Sequence, residues 1–512
     1  MQKQSIFMKS PFFNRPFRSV AMASAVVSLS VGLVGVSVAQ ESKDAKKTAK
    51  PAKEEKPKVV SKQASVTIDG QKIEYTATTS RLVLKTDDGK PRASIFHVAY
   101  TRNGVKDPSK RPVLFAFNGG PGSSAVWLHI GALGPRILAT SPDGTKALAP
   151  PVTVGENPQS ILDVADLVFI DPVSTGYSRS EDKKENFHGV EQDIRSVGDF
   201  IRRWVTENKR WGSPKYLLGE SYGGVRAAGL SNELQSRYGM SLNGVVMLSS
   251  LVDFRTLNPG DGDDLAYIAF LPTYTAVAHY HGKLKGNRDE LVKRADKFAK
   301  GEYATALLKG YTITAEERQK IAAELSALTS LPVELILRYD LRIYPSRFRK
   351  ELLRKENIVL GRFDARTAWP AADKAGDMPR YDPSFSVAKG AFSTAMLEYL
   401  GNELGWMEER PYEILANVGG WDWGRKNSIV NMSSYLAAAM RDNPDLRVLI
   451  QCGHADMATP AGGILHSFDH LPVAEPLRKN ISVRWYEAGH MFYLNEPDLV
   501  KMRKDLVEFI TE

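Results

Sequence analysis

Short apolar runs alternate along the chain with segments of helical periodicity, and this alternation predicts strands and helices in turn. Consecutive apolar positions are typical of strands buried on both faces of a sheet. The runs are Val113–Phe117, Leu167–Ile170, Lys215–Leu218, Gly244–Ser249, Leu446–Ile450 and Ile481–Tyr486. Residues 190–208 and 225–237 lie between such runs and have the pattern of helices. The chain is therefore predicted to be an α/β protein with a mostly parallel central sheet flanked by helices.

A different pattern begins near Asp253 and continues to about Asp445. Long helical segments, such as residues 315–328 and 384–403, alternate there with charged loops, and strand-like runs are few. Binding loops of open α/β sheets lie at the carboxyl ends of the strands, so we interpret this region as a helical insertion, or lid, over those ends. The predicted core has two parts, residues 64–252 and 446–512, with the insertion 253–445 between them.

The first 63 residues differ in composition from the rest. Residues 1–39 start with basic residues, continue with an uncharged stretch and end in Ser37-Val38-Ala39, which is the organisation of a cleaved signal peptide. An uncleaved membrane anchor is the alternative, since the uncharged stretch is long enough to span a bilayer. Residues 40–63 are rich in Lys, Ala and Pro and are predicted to be a disordered linker.

Charge and cysteine content narrow the function classes. Residues 1–63 carry a net charge of +8 out of the +9 of the whole chain. The rest is nearly neutral, so a basic groove for nucleic acid is not expected. The single cysteine, Cys452, excludes an intramolecular disulfide and is expected to be a buried apolar residue.

One stretch has the form of a nucleophile elbow. Gly219-Glu220-Ser221-Tyr222-Gly223-Gly224 follows an apolar run and precedes a helical segment. In Gly-x-Ser-x-Gly between a strand and a helix, a sharp turn lifts the serine hydroxyl clear of the sheet. Glycine at positions 219 and 223 leaves room for the close approach of the two backbones. Ser221 is therefore the candidate nucleophile.

A serine nucleophile needs a base and an acid that orients the base. Where the serine occupies such an elbow, the acid and then the histidine follow it, each after a strand. Asp456 and His490 follow the last two apolar runs in that order. His466 and His470 stand four residues apart, but no third ligand has a suitable spacing, so no metal is expected.

The glycine-rich segment Asn118-Gly119-Gly120-Pro121-Gly122 follows a buried strand. Glycines let backbone N–H groups approach a reacting carbonyl without obstruction, and acyl transfer needs such donors for the oxyanion. A structural turn is the alternative. The position of the segment, about a hundred residues before the elbow, favours the oxyanion function.

With these motifs the chain resembles the serine carboxypeptidase family. The blocks that carry the resemblance are 118–124, Asp171-Pro172-Val173 with Gly176-Tyr177-Ser178, 219–224, and the pair Asp456 and His490, in family order over residues 113–495. The resemblance implies an α/β-hydrolase fold without metal or cofactor. It also implies Ser221 as nucleophile, His490 as base and then acid, and Asp456 as its orienting carboxylate.

The resemblance assigns two further pairs. The backbone N–H groups of Gly120 and Tyr222 would form the oxyanion hole. Asn118 and Glu220 would bind the free C-terminal carboxylate of a peptide, for which Glu220 must be protonated to donate a hydrogen bond.

The chain departs from the family pattern at two positions. Ala132 stands where the family commonly has a glutamate paired with the one at the elbow, which removes one cause of a raised pKa at Glu220. Ser123 stands where the family usually has cysteine, and the family's disulfides are absent, which indicates a bacterial-type branch. Trp421-Asp422-Trp423 in the insertion is interpreted as either a wall of the substrate site or core packing.

The sequence thus predicts an exported serine carboxypeptidase, periplasmic or secreted, that acts on peptides through an acyl-enzyme. After signal cleavage no stable membrane association is expected, and nothing indicates an oligomeric state. An esterase or acyltransferase on the same scaffold is the first alternative, because only carboxylate recognition would distinguish it. A catalytically silent binding protein of the cell envelope is the second.

Overall fold

A computed structural model of the chain describes residues 58–182, 184–424 and 427–512. The predicted signal peptide and residues 40–57 of the predicted linker lie outside them. The strands are β1 Val59–Ile68, β2 Gln71–Lys85, β3 Pro91–Arg102, β4 Val113–Phe117, β5 Arg136–Leu138, β6 Val154–Glu156, β7 Asp166–Ile170, β8 Arg179–Ser180, β9 Lys215–Glu220, β10 Gly244–Leu248, β11 Ile358–Leu360, β12 Ala368–Pro370, β13 Arg447–Gly453 and β14 Ile481–Tyr486.

The α-helices connect these strands or fill the long segment between β10 and β13. They are α1 Val126–Leu128, α2 Val190–Glu207, α3 Gly223–Tyr238, α4 Leu265–Tyr280, α5 Arg288–Phe298, α6 Ala304–Lys309, α7 Ala315–Thr329, α8 Val333–Arg338, α9 Pro345–Glu351, α10 Pro383–Glu398, α11 Ser433–Asp442, α12 Ala461–Asp469, α13 Glu475–Arg478 and α14 Glu496–Thr511. No helix in the described ranges is long and apolar enough to cross a membrane.

Ten of the described strands form one sheet, in the order β1-β2-β3-β7-β4-β9-β10-β13-β14, with β8 paired to β3. The six strands from β7 to β14 run parallel, whereas β1, β2 and β3 pair antiparallel. Consecutive side chains of β4 enter opposite layers: Leu114 joins one hydrophobic cluster and Phe115 the other. The predicted mostly parallel sheet with helices on both faces is confirmed.

The predicted linker ends too late. Residues 59–63 form the first half of β1 and pair with residues 76–80 of β2. Their side chains are mostly polar and exposed, which is why composition predicted disorder. Backbone hydrogen bonds to β2 order this segment, and Val60 alone among these five residues packs against the core. The boundary at residue 63 is therefore corrected to the start of β1.

The segment 253–445 is not a single helical body. Helices α4 to α9 share a hydrophobic cluster separate from the two that contain Leu114 and Phe115, and the loop after β13 adds Ala455 and Met457 to it. In contrast, α11 buries Leu436 and Met440 in the same hydrophobic cluster as Phe115 of β4, and it packs on α3. Because its apolar face packs in the core, α11 is a crossover helix of the core. The predicted end of the insertion at residue 445 is therefore wrong, and the insertion ends before α11.

Candidate active site

The turn between β9 and α3 holds Ser221 in a strained conformation. Ser221 has φ of +62°, a left-handed value that residues other than glycine rarely adopt. A Cβ on Gly219 would lie 2.1 Å from the carbonyl oxygen of Gly223, and one on Gly224 would lie 2.5 Å from Cβ of Ser250. The helix α3 therefore begins so close to β9 and to the loop after β10 that only glycine fits, which is the geometry of a nucleophile elbow.

His490 and Asp456 lie on the loops after β14 and β13 and form a buried pair. His490 Nδ1 is 2.9 Å from Asp456 Oδ2. The backbone N–H groups of Ala458 and Thr459 donate to Asp456 Oδ1 at 2.8 and 2.9 Å. Burial by itself lowers the pKa of His490, but the adjacent Asp456 carboxylate outweighs it and raises that pKa above the usual value. The pair is arranged so that the imidazole can take up a proton.

A cavity of 530 Å³ opens where β4, β9 and β14 end. The residues predicted from the sequence that line it are Asn118, Gly120, Glu220, Ser221, Tyr222 and His490. Asp456 is buried and reaches this cavity through its bond to His490. The fold thus gathers residues that are up to 372 positions apart in the chain, from Asn118 to His490.

Two backbone N–H groups at this cavity have no acceptor in the described chain. They belong to Gly120, with φ of +103°, and to Tyr222, directly before α3. Arg226 on α3 is buried, forms an ion pair with Asp193 and donates to the carbonyl of Asn118 at 2.6 Å. This bond ties the glycine-rich loop, which carries Gly120, to the helix that follows Tyr222.

Glu220 is buried beside Asn118, whose Nδ2 donates to Glu220 Oε2 at 2.9 Å. Burial raises the pKa of Glu220 to about 7, against the lowering effects of His490 and of its two hydrogen-bond donors. A raised pKa therefore does not require a second acid at position 132. Ala132 itself is buried in the hydrophobic core.

Position 123, the other departure from the family pattern, is occupied by a hydrogen-bonded serine. Ser123 Oγ accepts from the indole N–H of Trp127 at 2.8 Å and donates to the carbonyl of Ser124 at 3.0 Å. The only cysteine, Cys452, is buried and free, as predicted.

Several residues that line the cavity or contact its lining residues were not identified from the sequence. Thr459 contacts both Asp456 and His490, and the hydroxyl of Tyr493 donates to Glu220. Neither belongs to a motif with defined spacing, so no sequence signal pointed to them. Trp421 lines the cavity and also packs edge-on against Tyr222 of the hydrophobic core, so both interpretations of that segment apply to it.

The insertion supplies most of the apolar wall. Its aromatic and basic contributors are Phe254, Arg362, Phe363, Phe385 and Trp421. Arg362 is half-exposed and lies over the ring of Phe363 at 4.3 Å. The cavity therefore combines a polar floor from the core with an aromatic rim from the insertion.

The parallel sheet, the elbow at Ser221, and the loops that carry Asp456 and His490 together define an α/β-hydrolase. The family model of serine carboxypeptidases matches residues 86–490, and the chain belongs to that family.

Individual relatives are distant. The lysosomal protective protein of Mus musculus is 29% identical over 199 residues, which cover 38% of this chain and 36% of that protein. Serine carboxypeptidase-like 20 of Arabidopsis thaliana is 29% identical over 209 residues, which cover 39% of this chain and 37% of that protein. The matches thus span well under half of the length of these curated relatives.

A solved structure shares the fold over a longer stretch. The crystal structure of Kex1(delta)p, a prohormone-processing carboxypeptidase from Saccharomyces cerevisiae, is similar over 85% of this chain and 91% of its own, with a TM-score of 0.55 and 16% identity. At this identity the similarity concerns the fold.

Proposed function

We propose that the protein is an exported serine carboxypeptidase that removes C-terminal residues from peptides without metal or cofactor. The observation that carries the proposal is a single cavity lined by Ser221, by the Asn118–Glu220 pair and by His490, with Asp456 bonded to His490 behind the cavity wall. The first two supply acyl-transfer chemistry, and the third supplies recognition of a peptide's end.

In the proposed reaction His490 takes the hydroxyl proton as Ser221 Oγ attacks the scissile carbonyl. The N–H groups of Gly120 and Tyr222 donate to the oxyanion, and the dipole of α3 adds to their effect. His490 then gives the proton to the leaving amine, which departs as the C-terminal amino acid. Water attacks the acyl-enzyme by the same route in reverse and releases the shortened peptide.

Recognition of the C-terminus depends on a proton on Glu220. A neutral Glu220 donates a hydrogen bond to the substrate carboxylate, whereas an ionised one repels it. Because the pKa of Glu220 is raised to about 7, binding of peptide acids is expected below that pH and should weaken as the pH rises through it. The carboxylate is what distinguishes this function from an esterase or acyltransferase on the same scaffold.

Steady-state kinetics with a blocked dipeptide and its C-terminal amide test the proposal. We expect the acid to be preferred at pH 5.5 and the preference to decline above about pH 7. Ser221→Ala should lower kcat by more than about a thousandfold with an intact fold. Ser236→Ala is the matched control and should be fully active, because Ser236 is an exposed serine near the end of α3, the helix that follows the elbow.

Different outcomes separate the alternatives. Equal turnover of acid and amide would favour an esterase or acyltransferase, and an enzyme that Ser221→Ala leaves active would have another nucleophile. Lack of any turnover, with Ser221 unreactive to a fluorophosphonate, would favour a silent binding protein. Export rests on residues 1–39, and the N-terminal sequence of the protein isolated from its host would test cleavage after Ala39.

A further inference from the structure

Tyr493 is a buried tyrosine in the short 3-10 turn Phe492–Leu494, three residues after His490. Its hydroxyl donates to Glu220 Oε2 at 2.8 Å, and Asn118 Nδ2 donates to the same oxygen at 2.9 Å. Burial raises the pKa of the Tyr493 phenol well above its ordinary value, so the hydroxyl keeps its proton and remains a donor. One oxygen of Glu220 therefore accepts two hydrogen bonds.

The orientation of both donors is set by their surroundings. The backbone N–H of Leu128 donates to Asn118 Oδ1 at 3.2 Å, which directs the amide N–H₂ toward Glu220. A Cβ on Gly131 would lie 2.8 Å from Cζ of Phe392 and 3.2 Å from Cε2 of Tyr493, so both rings lie against a residue without a side chain. The glycine thus leaves room for the Tyr493 ring, whose hydroxyl reaches Glu220.

The two oxygens of Glu220 consequently differ. Oε2 faces two donors, so a carboxyl proton placed on it would oppose both hydrogen bonds. Oε1 forms no hydrogen bond with any described residue and keeps some contact with solvent. Glu220 itself lines the cavity. In the neutral acid the proton therefore belongs on Oε1.

We propose that Tyr493 is a positioning residue that holds the proton of Glu220 on Oε1, directed at the C-terminal carboxylate of the substrate. This inference rests on the proposed carboxypeptidase function. Tyr493 thus takes part in recognising the end of the peptide without touching it. Two other charged groups affect the pKa of Glu220: His490 lowers it and Asp456 raises it. Arg362, from the insertion, lowers the pKa of His490.

Tyr493→Phe tests the role because it removes only the hydroxyl. At pH 5.5 we expect KM for the blocked dipeptide acid to rise about fivefold, the effect of one hydrogen bond, with kcat changed much less. The Tyr493 hydroxyl also favours the ionised form of Glu220, so its removal should raise the pKa of Glu220. The pH at which the preference for the acid disappears should then rise by about half to one pH unit. The amide, which has no carboxylate, should show neither change.

The ratio of kcat/KM for acid to that for amide is the quantity to follow from pH 5 to 9, because titration of His490 affects both substrates and cancels. Tyr303→Phe is the matched control: Tyr303 is a buried tyrosine whose hydroxyl donates to the carbonyl of Leu341 in the insertion. It should leave the ratio and its midpoint unchanged.

Glu220→Gln is the second variant and does not depend on the stability of Tyr493→Phe. Its side-chain carbonyl can accept from Asn118 and Tyr493, which leaves the N–H₂ group for the substrate. Acid preference should then persist above pH 7. Acid preference that vanishes at every pH in Glu220→Gln would contradict the assigned orientation.

The outcomes distinguish this inference from the proposed function. A wild-type enzyme without acid preference contradicts the function itself. A wild type that prefers the acid, combined with a Tyr493→Phe variant whose midpoint stays in place or whose KM rises equally for acid and amide, overturns only the positioning role.

Discussion

At the residue scale, the hydroxyl of Thr459 joins both members of the His490–Asp456 pair. Thr459 Oγ1 lies 2.8 Å from Asp456 Oδ2, 3.0 Å from His490 Nδ1 and 2.7 Å from the carbonyl of Ser249. All of these groups are buried. The hydroxyl therefore connects the histidine–carboxylate pair to the backbone after β10, and it holds the imidazole through contacts that sequence spacing does not reveal.

Replacing this hydroxyl should weaken catalysis more than folding. Thr459→Val keeps the shape of the side chain, and we expect kcat to fall about tenfold because the imidazole is less well oriented. Thr459→Ser retains the hydroxyl and should recover most of that loss. Steady-state kinetics with a thermal melt of each variant measure both quantities, and a Thr459→Val enzyme with wild-type kcat would show that the contact has no role in orienting His490.

At the element scale, the site lies where the backbones of β9, α3 and the loop after β4 are in direct contact. A Cβ on Gly119 would lie 2.5 Å from the backbone nitrogen of Tyr222. The loop that carries Gly120 is therefore pressed directly against the elbow. Because this contact is made by backbone atoms, its geometry depends on glycine rather than on side-chain packing.

Gly219→Ala should therefore destabilise the protein. The added Cβ would meet the carbonyl of Gly223 at 2.1 Å, and neither backbone can move without displacing Ser221. We expect a loss of about 3 kcal/mol in the free energy of unfolding and a clear loss of activity. Chemical denaturation measures the first of these.

Gly390→Ala in α10 is the matched control, because apart from the adjoining backbone of its own helix no described heavy atom lies within 4 Å of the added Cβ. It should leave the protein as stable or stabilise it by about 0.5–1 kcal/mol, since alanine favours the helix. If both variants lost stability equally, the tight fit at the elbow would not be the cause.

At the scale of the whole molecule, buried acids connect the site to global stability. Burial raises the pKa of both Glu220 and Asp171 to about 7, above their ordinary values of 4.5 and 3.8. The folded state then binds protons more tightly than the unfolded state. The free energy of unfolding should therefore be highest below about pH 4 with respect to these two groups, and it should fall as the pH rises to about 7.

Glu220→Gln should remove its part of this dependence. The amide carries no charge at any pH, so the variant should gain stability relative to the wild type as the pH rises from about 4.5 to 8, by on the order of 2–3 kcal/mol. Denaturation at a series of pH values measures the difference. A difference that does not grow with pH would mean that the buried carboxyl of Glu220 is not protonated near neutrality.

Much of the fold and the core of the site could be predicted from the sequence, because local patterns encode them. The bounds of the strand β4 and the helix α2 agree to within one residue with those predicted from the apolar pattern. The elbow at Ser221 was visible because its glycines are a local steric requirement. Asp456 and His490 were identified because the acid and then the histidine follow an elbow serine, each after a strand, and parallel strands present their carboxyl ends at one edge.

Only the tertiary structure decided the parts that depend on contacts between distant segments. Residues 59–63 are ordered as part of β1 because their backbone forms hydrogen bonds to β2, and amino-acid composition does not predict such bonds. The assignment of α11 to the core depends on its packing against α3. The role inferred for Tyr493 arises because the fold brings its hydroxyl within 3 Å of Glu220, 273 residues earlier in the chain. Thr459 lies only three residues after Asp456, but its contacts with His490 and with the carbonyl of Ser249 join segments 31 and 210 residues away. Such contacts leave no periodic signal in the chain.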